Sequence, residues 1–524
     1  MTLDKKIRVR FAPSPTGALH IGGVRTALFN YLFAKSNGGD FILRIEDTDK
    51  KREVAGAEKY IIDSLAWLGI NPDEGPNLLS DTKCGPYRQS ERLAIYKKYA
   101  LMLVESGHAY YAFDDDDSLK RMRETLEKSG AKNTGYNYAI RSSMKNSITL
   151  STDEVKKLLE EGHPYVIRFK MPKDLDVTFK DEVRETVSFN TSALDDKILF
   201  KSDGYPTYHL ANVIDDHLME ISHVIRAEEW LPSTPLHILL YEAFGWDKPV
   251  FAHLPLVLGS DGKKLSKRHA AKYKFPIFPL NWNYVNEKNE PVTILGFKEA
   301  GYRVDALVNF ILLLGWNSGT NQEFIDIKDF YENKKFKFDI ARVSKGGAIF
   351  DFDKLNSFNA SYLRKQEYDV LRKLLPDSRI GTATAAYLYD ELTIPKIMDI
   401  AKVRSVFEKD FYPSVSYFFE DLIFSENTSA KNYDEFFKFT TALLDAEHKY
   451  FNTEEMLKTK VEAICDELGF KPGKIMPDLR VALTGGKPGP ELPLTMWILG
   501  RDRTEKRLIC YLSVIEKNKN KVTA

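Results

Sequence analysis

The sequence predicts a multidomain protein of the α/β plus α class: a doubly wound parallel sheet, interrupted by an inserted domain and followed by a mainly helical region. The 524 residues have room for about three or four domains of ordinary size. A strand–helix–strand pattern appears within the first 50 residues and returns near residue 200. From about residue 325 this alternation stops, and apolar residues recur at helical spacing.

The first 50 residues predict one strand–helix–strand unit. A β-branched and aromatic strand is expected over 7–12, and the loop PSPTGALHIGG leads into a helix that stops at SNGG, 36–39. FILRIED at 41–47 predicts the second strand, and such a unit implies parallel strands. The helix residues expected to share one apolar face are Ala27, Leu28, Tyr31, Leu32 and Ala34.

The second half of the sheet is predicted further along the chain. It comprises ILF at 198–200, the strand HVIR at 223–226, a helix over 236–246 and the strand VFAHLPLVLG at 250–259. Roughly 100–195 mixes charged helical stretches with strand-like pieces, which indicates an insertion. The stretch at 275–291 is rich in Pro and Asn and lacks periodicity, so we expect a loop.

Composition excludes several classes of protein. Lys+Arg and Asp+Glu both number 75, so the total charge neither indicates nor excludes a nucleic-acid partner. Three cysteines without C-x-x-C spacing exclude a disulfide scaffold and disfavour a Cys-rich zinc site. The start lacks an apolar signal segment, and apolar runs such as 310–316 are too short to span a bilayer, so we expect a cytoplasmic protein without a membrane partner.

The first candidate for chemistry is His20, followed by Gly22 and Gly23, at the predicted strand-to-helix turn. Glycines allow a close approach to a ligand, and the N–H groups of a helix N-terminus suit a phosphate. A histidine there could donate to a phosphoryl oxygen as charge builds up in a transition state. Taken alone, the segment favours a simpler interpretation, a capping turn with an exposed histidine.

The second candidate is the basic loop GSDGKKLSKR at 259–268, which follows a predicted strand. Its cations, with Lys264 and Lys267 foremost, could clamp a triphosphate and stabilise a departing pyrophosphate. A Lys-rich loop alone is usually a solvated charge run. Together with an N-terminal HIGG segment, however, it forms a specific combination.

This combination resembles the HIGH and KMSKS signatures of class I aminoacyl-tRNA synthetases, and the chain is similar to the bacterial-type glutamyl-tRNA synthetases. Gly23 replaces the second histidine of HIGH, which places that role on His20, and Leu265 and Arg268 depart from KMSKS. Variation at these places is common in the glutamyl family. The matching segments are 10–34, 43–49, 203–230, the basic loop and 481–501.

The resemblance implies a Rossmann-type catalytic domain and assigns its site residues. The implied catalytic residues are His20, Lys264 and Lys267. The implied ATP-binding residues are Gly22, Gly23, Glu229, Trp230, Val257, Lys264, Ser266 and Lys267. The implied glutamate-binding residues are Arg10, Ser14, Glu46, Tyr208, Asn212 and Arg226.

Chemistry supports the glutamate assignment independently. An arginine binds a carboxylate with two parallel hydrogen bonds, and an acidic side chain suits the ammonium group. Arg10, Glu46 and Arg226 lie on or at the ends of predicted strands, where doubly wound sheets bind ligands. The resemblance gives Arg226 the side-chain carboxylate. Core packing and ATP contact are equally compatible with Trp230.

The implied substrates are L-glutamate, ATP and tRNA-Glu, with Mg²⁺ as cofactor, in a monomeric ligase that forms a glutamyl-adenylate and releases AMP and pyrophosphate. In the family, adenylate formation requires bound tRNA. No metal held by the protein is expected, because His209, His217, Asp215 and Asp216 lack a recognised ligand spacing. Zinc is not expected, because the turn at 110–114 lacks cysteine.

The expected domains divide the chain into five parts. They are the first half of the catalytic domain (1–99), the inserted domain for the tRNA acceptor end (100–195), the second catalytic half (196–270), a connecting domain that contacts the tRNA stem (271–345) and helical anticodon-binding domains (346–524).

Four alternatives remain at this point. A small-molecule adenylyltransferase would leave the last 200 residues without a task. A glutaminyl-tRNA synthetase should lack Arg226 and have β-barrels in its anticodon part. A tRNA-modifying relative would be shorter, and a non-enzymatic RNA-binding protein would show no ATP chemistry.

Overall fold

The structure, a computed structural model, describes residues 6–78, 84–131, 133–265, 275–286, 288–376, 392–425 and 428–523. It divides into two compact units. The first comprises Met1–Ala300 and Val304–Phe352, and the second comprises Gly301–Arg303 and Asp353–Ala524.

The first unit mixes strands and helices. Its strands are β1 (Arg8–Phe11), β2 (Asp40–Leu43), β3 (Ala109–Ala112), β4 (Val166–Phe169), β5 (Asp176–Asp181), β6 (Glu185–Asn190), β7 (Ile198–Phe200), β8 (His223–Ala227), β9 (Val250–Leu254), β10 (Val257–Leu258), β11 (Trp282–Val285), β12 (Pro291–Ile294) and β13 (Ala348–Ile349). Its helices are α1 (Ile21–Ser36), α2 (Ala57–Trp67), α3 (Leu93–Glu105), α4 (Asp116–Lys128), α5 (Thr152–Glu160), α6 (Tyr208–Leu218), α7 (Thr234–Phe244), α8 (Phe297–Ala300) and α9 (Val304–Leu312).

The predicted parallel α/β sheet is confirmed. β1 pairs with β2 in parallel, and β8 pairs in parallel with β9. The Ser222 backbone N–H, just before β8, donates to the Arg8 carbonyl at 2.9 Å, which places β1 beside β8. The ends of β1 and β8 therefore meet at one edge of the sheet, the position where α/β sheets bind ligands.

Two segments pair with other sheets than the sequence predicts. β7, expected in the parallel sheet, instead pairs antiparallel with β4 in a sheet of order β3–β4–β7. The β5–β6 hairpin, expected in the insertion, joins β9 in parallel at Asp181 and Phe251. A short apolar run shows that a strand forms but not which neighbour it pairs with, and this accounts for both errors.

Helix α1 is buried on more than the one predicted face. Its buried residues run without interruption from Ala27 to Ala34. One side packs on the sheet, where the Asn30 amide donates to the Ile225 carbonyl at 3.0 Å, and Phe29 contacts Phe338 on another side. A helix covered on several sides needs no amphipathic pattern, so the expected single apolar face was wrong.

The stretch at 275–291 is not merely a loop. β11 and β12 form an antiparallel hairpin in which Trp282 opposes Ile294. Asn289 takes the left-handed conformation at φ 61°, which asparagine tolerates in turns. The segment WNYV favours a strand, but the Pro and Asn residues around it led to the prediction of a loop.

The second unit is helical throughout its described part, and this confirms the predicted helical C-terminal region. Its core contains Phe411, Phe436, Leu457 and Leu479. The helices are α10 (Phe352–Arg364), α11 (Tyr368–Arg372), α12 (Thr393–Arg404), α13 (Glu408–Val415), α14 (Tyr433–Leu444), α15 (Glu454–Glu467), α16 (Met476–Thr484), α17 (Leu492–Leu499) and α18 (Arg501–Thr523). Across the described ranges of both units, no helix is long and apolar enough to cross a membrane.

Candidate active site

A cavity of about 530 Å³ lies at the edge of the sheet where β1 and β8 end and α1 begins. Every predicted site residue that the structure describes lines it. These residues are Arg10, Ser14, His20, Gly22, Gly23, Glu46, Tyr208, Asn212, Arg226, Glu229, Trp230, Val257 and Lys264. Ser266 and Lys267 lie outside the described residues.

His20 caps α1 at the cavity wall. Its Nδ1 accepts a hydrogen bond from the Gly22 N–H at 3.1 Å. The predicted capping turn is therefore present, and it does not compete with a ligand role because His20 also lines the cavity. The same turn directs the N-terminus of a helix, with its partial positive charge, toward this space.

The opposite side of the cavity carries a cation and an exposed ring. The Lys264 ammonium pairs with the Glu229 carboxylate, and both side chains are about half exposed. Trp230 is 42% exposed and contacts Tyr208 with 4.2 Å between ring centroids and a 35° tilt between the rings, so it is not a core residue. Val257 is buried in β10, and its carbonyl accepts the Leu265 N–H at 2.9 Å.

Arg10 belongs to a buried ion network. It donates to Asp216 through Nε at 2.9 Å and through Nη2 at 3.2 Å, and Arg44 donates to the same carboxylate at 2.7 Å. Burial alone would raise the pKa of Asp216, but the charges of Arg10 and Arg44 outweigh it and lower the pKa. The charge of Arg10 is thus already balanced.

Glu46 lies at the edge of this network. Its Oε1 accepts from Arg44 Nη2 and from Asn212 Nδ2, each at 3.3 Å. Burial raises the pKa of Glu46, partly offset by the charges of Arg44 and Arg10. An ammonium group in the cavity would give this buried acid a second cationic partner besides Arg44.

Arg226 has no carboxylate partner among the described residues, although only 5% of its surface is exposed. Its guanidinium donates to neutral acceptors alone. They are His253 Nε2 (3.0 Å), the Tyr208 hydroxyl (2.9 Å), Thr234 Oγ1 (2.9 Å), His237 Nδ1 (3.3 Å) and the Trp230 carbonyl (3.3 Å). The result is a buried positive charge beside a cavity, with no counter-ion among the residues that the structure describes.

The Tyr208 hydroxyl adds a donor at the same place. It accepts from Arg226, and within the described part of the chain nothing accepts its own proton. A carboxylate in the cavity could therefore take two kinds of donor, the guanidinium and this hydroxyl. An arrangement of a cation and an O–H donor at one point suits an anionic group better than a neutral one.

Sequence reasoning missed the residues that hold Arg226. Asp181, Thr234, His237 and His253 were not singled out. The only available signal was a polar residue within the apolar strand VFAHLPLVLG, since His253 is the register partner of Arg226 on the neighbouring strand. No run of residues in the sequence reports such a pairing across strands.

The acids and histidines weighed as a metal site have other partners. Asp215 accepts from Arg92 at 2.8 Å, and His217 stacks on Trp246. Throughout the described ranges, no group of three or more His, Cys, Asp or Glu side chains is arranged to hold a metal ion.

Comparison with known proteins decides the family. Residues 6–357 match the family model described as class I tRNA synthetases (E and Q), catalytic domain, and residues 368–512 match the model of an anticodon binding domain. A glutamate–tRNA ligase of Flavobacterium psychrophilum is 46% identical over 97% of this chain and 99% of its own length. The chain belongs to the glutamate–tRNA ligase family.

Other members of the glutamate–tRNA ligase family agree in sequence and in fold. The enzyme of Christiangramia forsetii is 45% identical over 97% of this chain and 98% of its own. A crystal structure of a glutamate tRNA ligase from Elizabethkingia meningosepticum, in complex with its amino acid, superposes with a TM-score of 0.82 at 42% identity, covering 97% and 99% of the two chains. The alternatives outside this family are thereby set aside.

Proposed function

We propose that this chain attaches L-glutamate to tRNA-Glu in an ATP-dependent reaction through a glutamyl-adenylate, in the cavity at the edge of the parallel sheet. The observation that carries the proposal is Arg226, a buried cation without a carboxylate partner in the described part of the chain. Leaving a charge in this state is costly unless a ligand neutralises it. The γ-carboxylate of glutamate is such a ligand.

The remaining groups fit the rest of the amino acid. The γ-carboxylate replaces the long contact of Arg226 with the Trp230 carbonyl, 3.3 Å, and accepts the Tyr208 proton. The ammonium group lies toward the Glu46 carboxylate. Arg10, Ser14 and Asn212 complete this part of the wall.

ATP lies between the N-terminus of α1 and the Lys264 side. His20 and the N-terminal turn of α1 at Gly22 and Gly23 lie toward its phosphates, while Trp230 and Val257 line the nucleoside side. Lys264 then exchanges Glu229 for a phosphate oxygen. Lys267 and Ser266 have the same role by resemblance alone.

Mg²⁺ is the proposed cofactor, and the residues present fit one held chiefly by phosphates. Mg²⁺ commonly keeps water and binds one or two carboxylates plus substrate phosphates. Glu229 is a carboxylate beside the proposed phosphate position, and no three-residue ligand group exists in the described ranges. Glu229 would hold the ion together with the substrate phosphates, and the ion would reduce the repulsion between the phosphate charges.

The reaction needs no covalent enzyme intermediate. An oxygen of the glutamate α-carboxylate attacks the α-phosphorus of ATP, and the bond to the β-phosphate breaks with departure of pyrophosphate. The oxygen of a terminal ribose hydroxyl of tRNA then forms an ester bond with the glutamyl carbonyl carbon. The bond from this carbon to the AMP phosphate breaks, AMP departs and the hydroxyl proton passes to solvent. His20 and Lys264 stabilise the charge that builds on the phosphoryl oxygens.

The tRNA acceptor end enters through the inserted part. A second cavity, of about 1030 Å³, includes Arg123, Arg168 and Lys197 in its walls, and it shares Tyr208 with the amino-acid site. Cations and aromatic rings together suit the backbone and bases of a single-stranded nucleic-acid end. Tyr208 is thus the wall between the proposed amino acid and the proposed ribose.

The other parts follow the domain order expected from sequence. Residues 271–345 contact the tRNA stem, and the helical region 346–524, which includes the match to an anticodon binding domain, contacts the anticodon. The enzyme acts as a monomer in the cytoplasm.

The test is ATP–pyrophosphate exchange with glutamate or glutamine, each with and without tRNA. Exchange with glutamate alone, and only in the presence of tRNA, is the expected result. Exchange driven by glutamine would move the assignment to the glutaminyl specificity. No exchange despite tight tRNA binding would replace the enzyme with an RNA-binding protein.

A further inference from the structure

Arg226 is held by two arms of hydrogen-bonded side chains that the proposed chemical steps do not use, and all of these side chains except the partly exposed His209 are buried. One arm runs from Arg226 through His253 to Asp181. The other runs from Arg226 through His237 to His209. Since arginine only donates hydrogen bonds, the arginine fixes which histidine nitrogens accept.

The first arm has a defined direction. Arg226 Nε donates to His253 Nε2 at 3.0 Å, so the proton of this imidazole lies on Nδ1 and is donated to Asp181 at 2.6 Å. Asp181 is itself fixed, because it also accepts the backbone N–H groups of Val183 at 3.0 Å and Arg184 at 2.8 Å. The Asp181 carboxylate therefore orients His253, and the neutral His253 ring separates this carboxylate from the Arg226 guanidinium.

In the second arm, too, the arginine donor determines which nitrogen of the histidine accepts and which carries the proton. Arg226 Nη1 lies 3.3 Å from His237 Nδ1, which must accept. The proton on His237 Nε2 is then donated to His209 Nδ1 at 3.2 Å. His237 is buried, with 1% of its surface exposed. Acceptors at both ends of the guanidinium are thus neutral imidazoles.

These rings stay neutral near pH 7. Burial and the charge of Arg226 lower the pKa of His237. Burial also lowers the pKa of His253, and the opposing effect of its hydrogen bond to Asp181 does not reverse that direction. A carboxylate at either position would satisfy the same hydrogen bond and also cancel the charge. Arg10 shows this alternative within one fold, since Asp216 neutralises it directly.

We infer that His237 and His253 are positioning residues that set the preference for glutamate over glutamine, because they hold Arg226 with uncharged acceptors and leave its charge for the substrate. This inference rests on the proposed function and deepens it. A glutamate γ-carboxylate completes the ion pair. A glutamine carboxamide leaves the buried charge unpaired and turns an NH₂ group toward a donor.

The test compares His237→Asp with His237→Asn. Both side chains place an oxygen where the imidazole Nδ1 lies, and they differ in charge. Three quantities are measured with tRNA present: kcat/KM for glutamate, Ki for glutamine as a competitor, and KM for ATP. Melting temperatures establish that both variants fold.

The expected result is a charge effect confined to the amino acid. Relative to His237→Asn, His237→Asp should lower glutamate kcat/KM by about 100-fold, mainly through KM, while the glutamine Ki and the ATP KM change by less than about threefold. Equal values for the two variants would overturn the inference. So would a parallel loss for glutamate and glutamine, which is what a merely structural histidine produces.

A second matched pair covers the case in which His237→Asp does not fold. Thr234 accepts from Arg226 Nη2 at 2.9 Å. Thr234→Asp and Thr234→Asn therefore compare a charged with an uncharged acceptor at Nη2, as the His237 variants do at Nη1. The same selective loss of glutamate in the Asp variant supports the inference, and its absence overturns it. If the unmodified enzyme shows no glutamate-dependent exchange, the proposed function itself fails.

Discussion

Arg10 and Asp216 are joined by two hydrogen bonds, from Nε at 2.9 Å and from Nη2 at 3.2 Å, with both side chains almost completely buried. Arg44, whose side chain is inaccessible to solvent, shares the same carboxylate. The pair fixes the first strand against α6 and sets one wall of the cavity. Asp216 neutralises Arg10, and this distinguishes Arg10 from Arg226, which has no carboxylate partner among the described residues.

Asp216→Asn should destabilise the first unit strongly. The substitution keeps the shape but removes the charge that neutralises Arg10 and Arg44, and breaking a buried ion pair costs about 3–5 kcal/mol. Urea unfolding followed by circular dichroism gives the change in free energy. The exposed Asp153→Asn, in the first turn of α5, serves as the control and should change stability by less than about 0.5 kcal/mol. Comparable values for the two variants would refute a structural role for the Asp216 charge.

Arg226→Ala should damage the use of glutamate far more than the use of ATP. The glutamate carboxylate loses its cation in a buried site, so kcat/KM for glutamate should fall by about 100- to 1,000-fold, while the KM for ATP stays within about threefold. Aminoacylation kinetics with each substrate varied in turn measure both. The exposed Arg52→Ala, which removes only the surface pair with Asp49, is the control. A glutamate kcat/KM close to normal in Arg226→Ala would show that the pocket is assigned incorrectly.

The sequence predicted the local units well and their long-range partners less well. The turn at His20, the strand β2 that leads toward Glu46 and the strand β8 that carries Arg226 each follow from a short pattern, although β2 ends at Leu43, three residues before Glu46. The general rule for parallel sheets brings their ends together. The sequence could not predict that β7 joins the antiparallel sheet and β5 the parallel one, because strand pairing depends on residues far apart in the chain. His253 was missed for the same reason, since its role comes from facing Arg226 across two strands.

Lys264→Ala should lower kcat while ATP binding is nearly kept. Lys264 is about half exposed and pairs with Glu229, so its charge is screened and contributes little to binding in the resting state. In the transition state it would face new charge on the phosphates, and its loss should lower kcat by about 100-fold. Exchange kinetics separate kcat from the KM for ATP, with Lys263→Ala on the same loop as the matched control. A defect confined to the KM for ATP would indicate ground-state binding instead.

The histidines behind Arg226 should make stability depend on pH in the mildly acidic range. The pKa of His209 is lowered from 6.5 to about 4, first by burial and then by the charges of Lys197 and Arg226. Between these values the unfolded chain takes up a proton that the folded chain does not. The stabilisation is therefore fully present above about pH 6.5 and is lost as the pH falls toward 4, at up to about 1.4 kcal/mol per pH unit for one histidine.

The measurement is the melting temperature at several values from pH 7.5 to pH 5, for the unmodified chain and for His209→Gln. The glutamine cannot titrate, so the fall in melting temperature per pH unit should be smaller in this variant. His237 and His253, whose pKa values burial also lowers, keep part of the pH dependence. His448→Gln, at an exposed position in the second unit, should leave the slope unchanged. An identical slope in His209→Gln and the unmodified chain would mean that His209 takes up its proton equally in both states, and that the arm through His237 is not held neutral by burial.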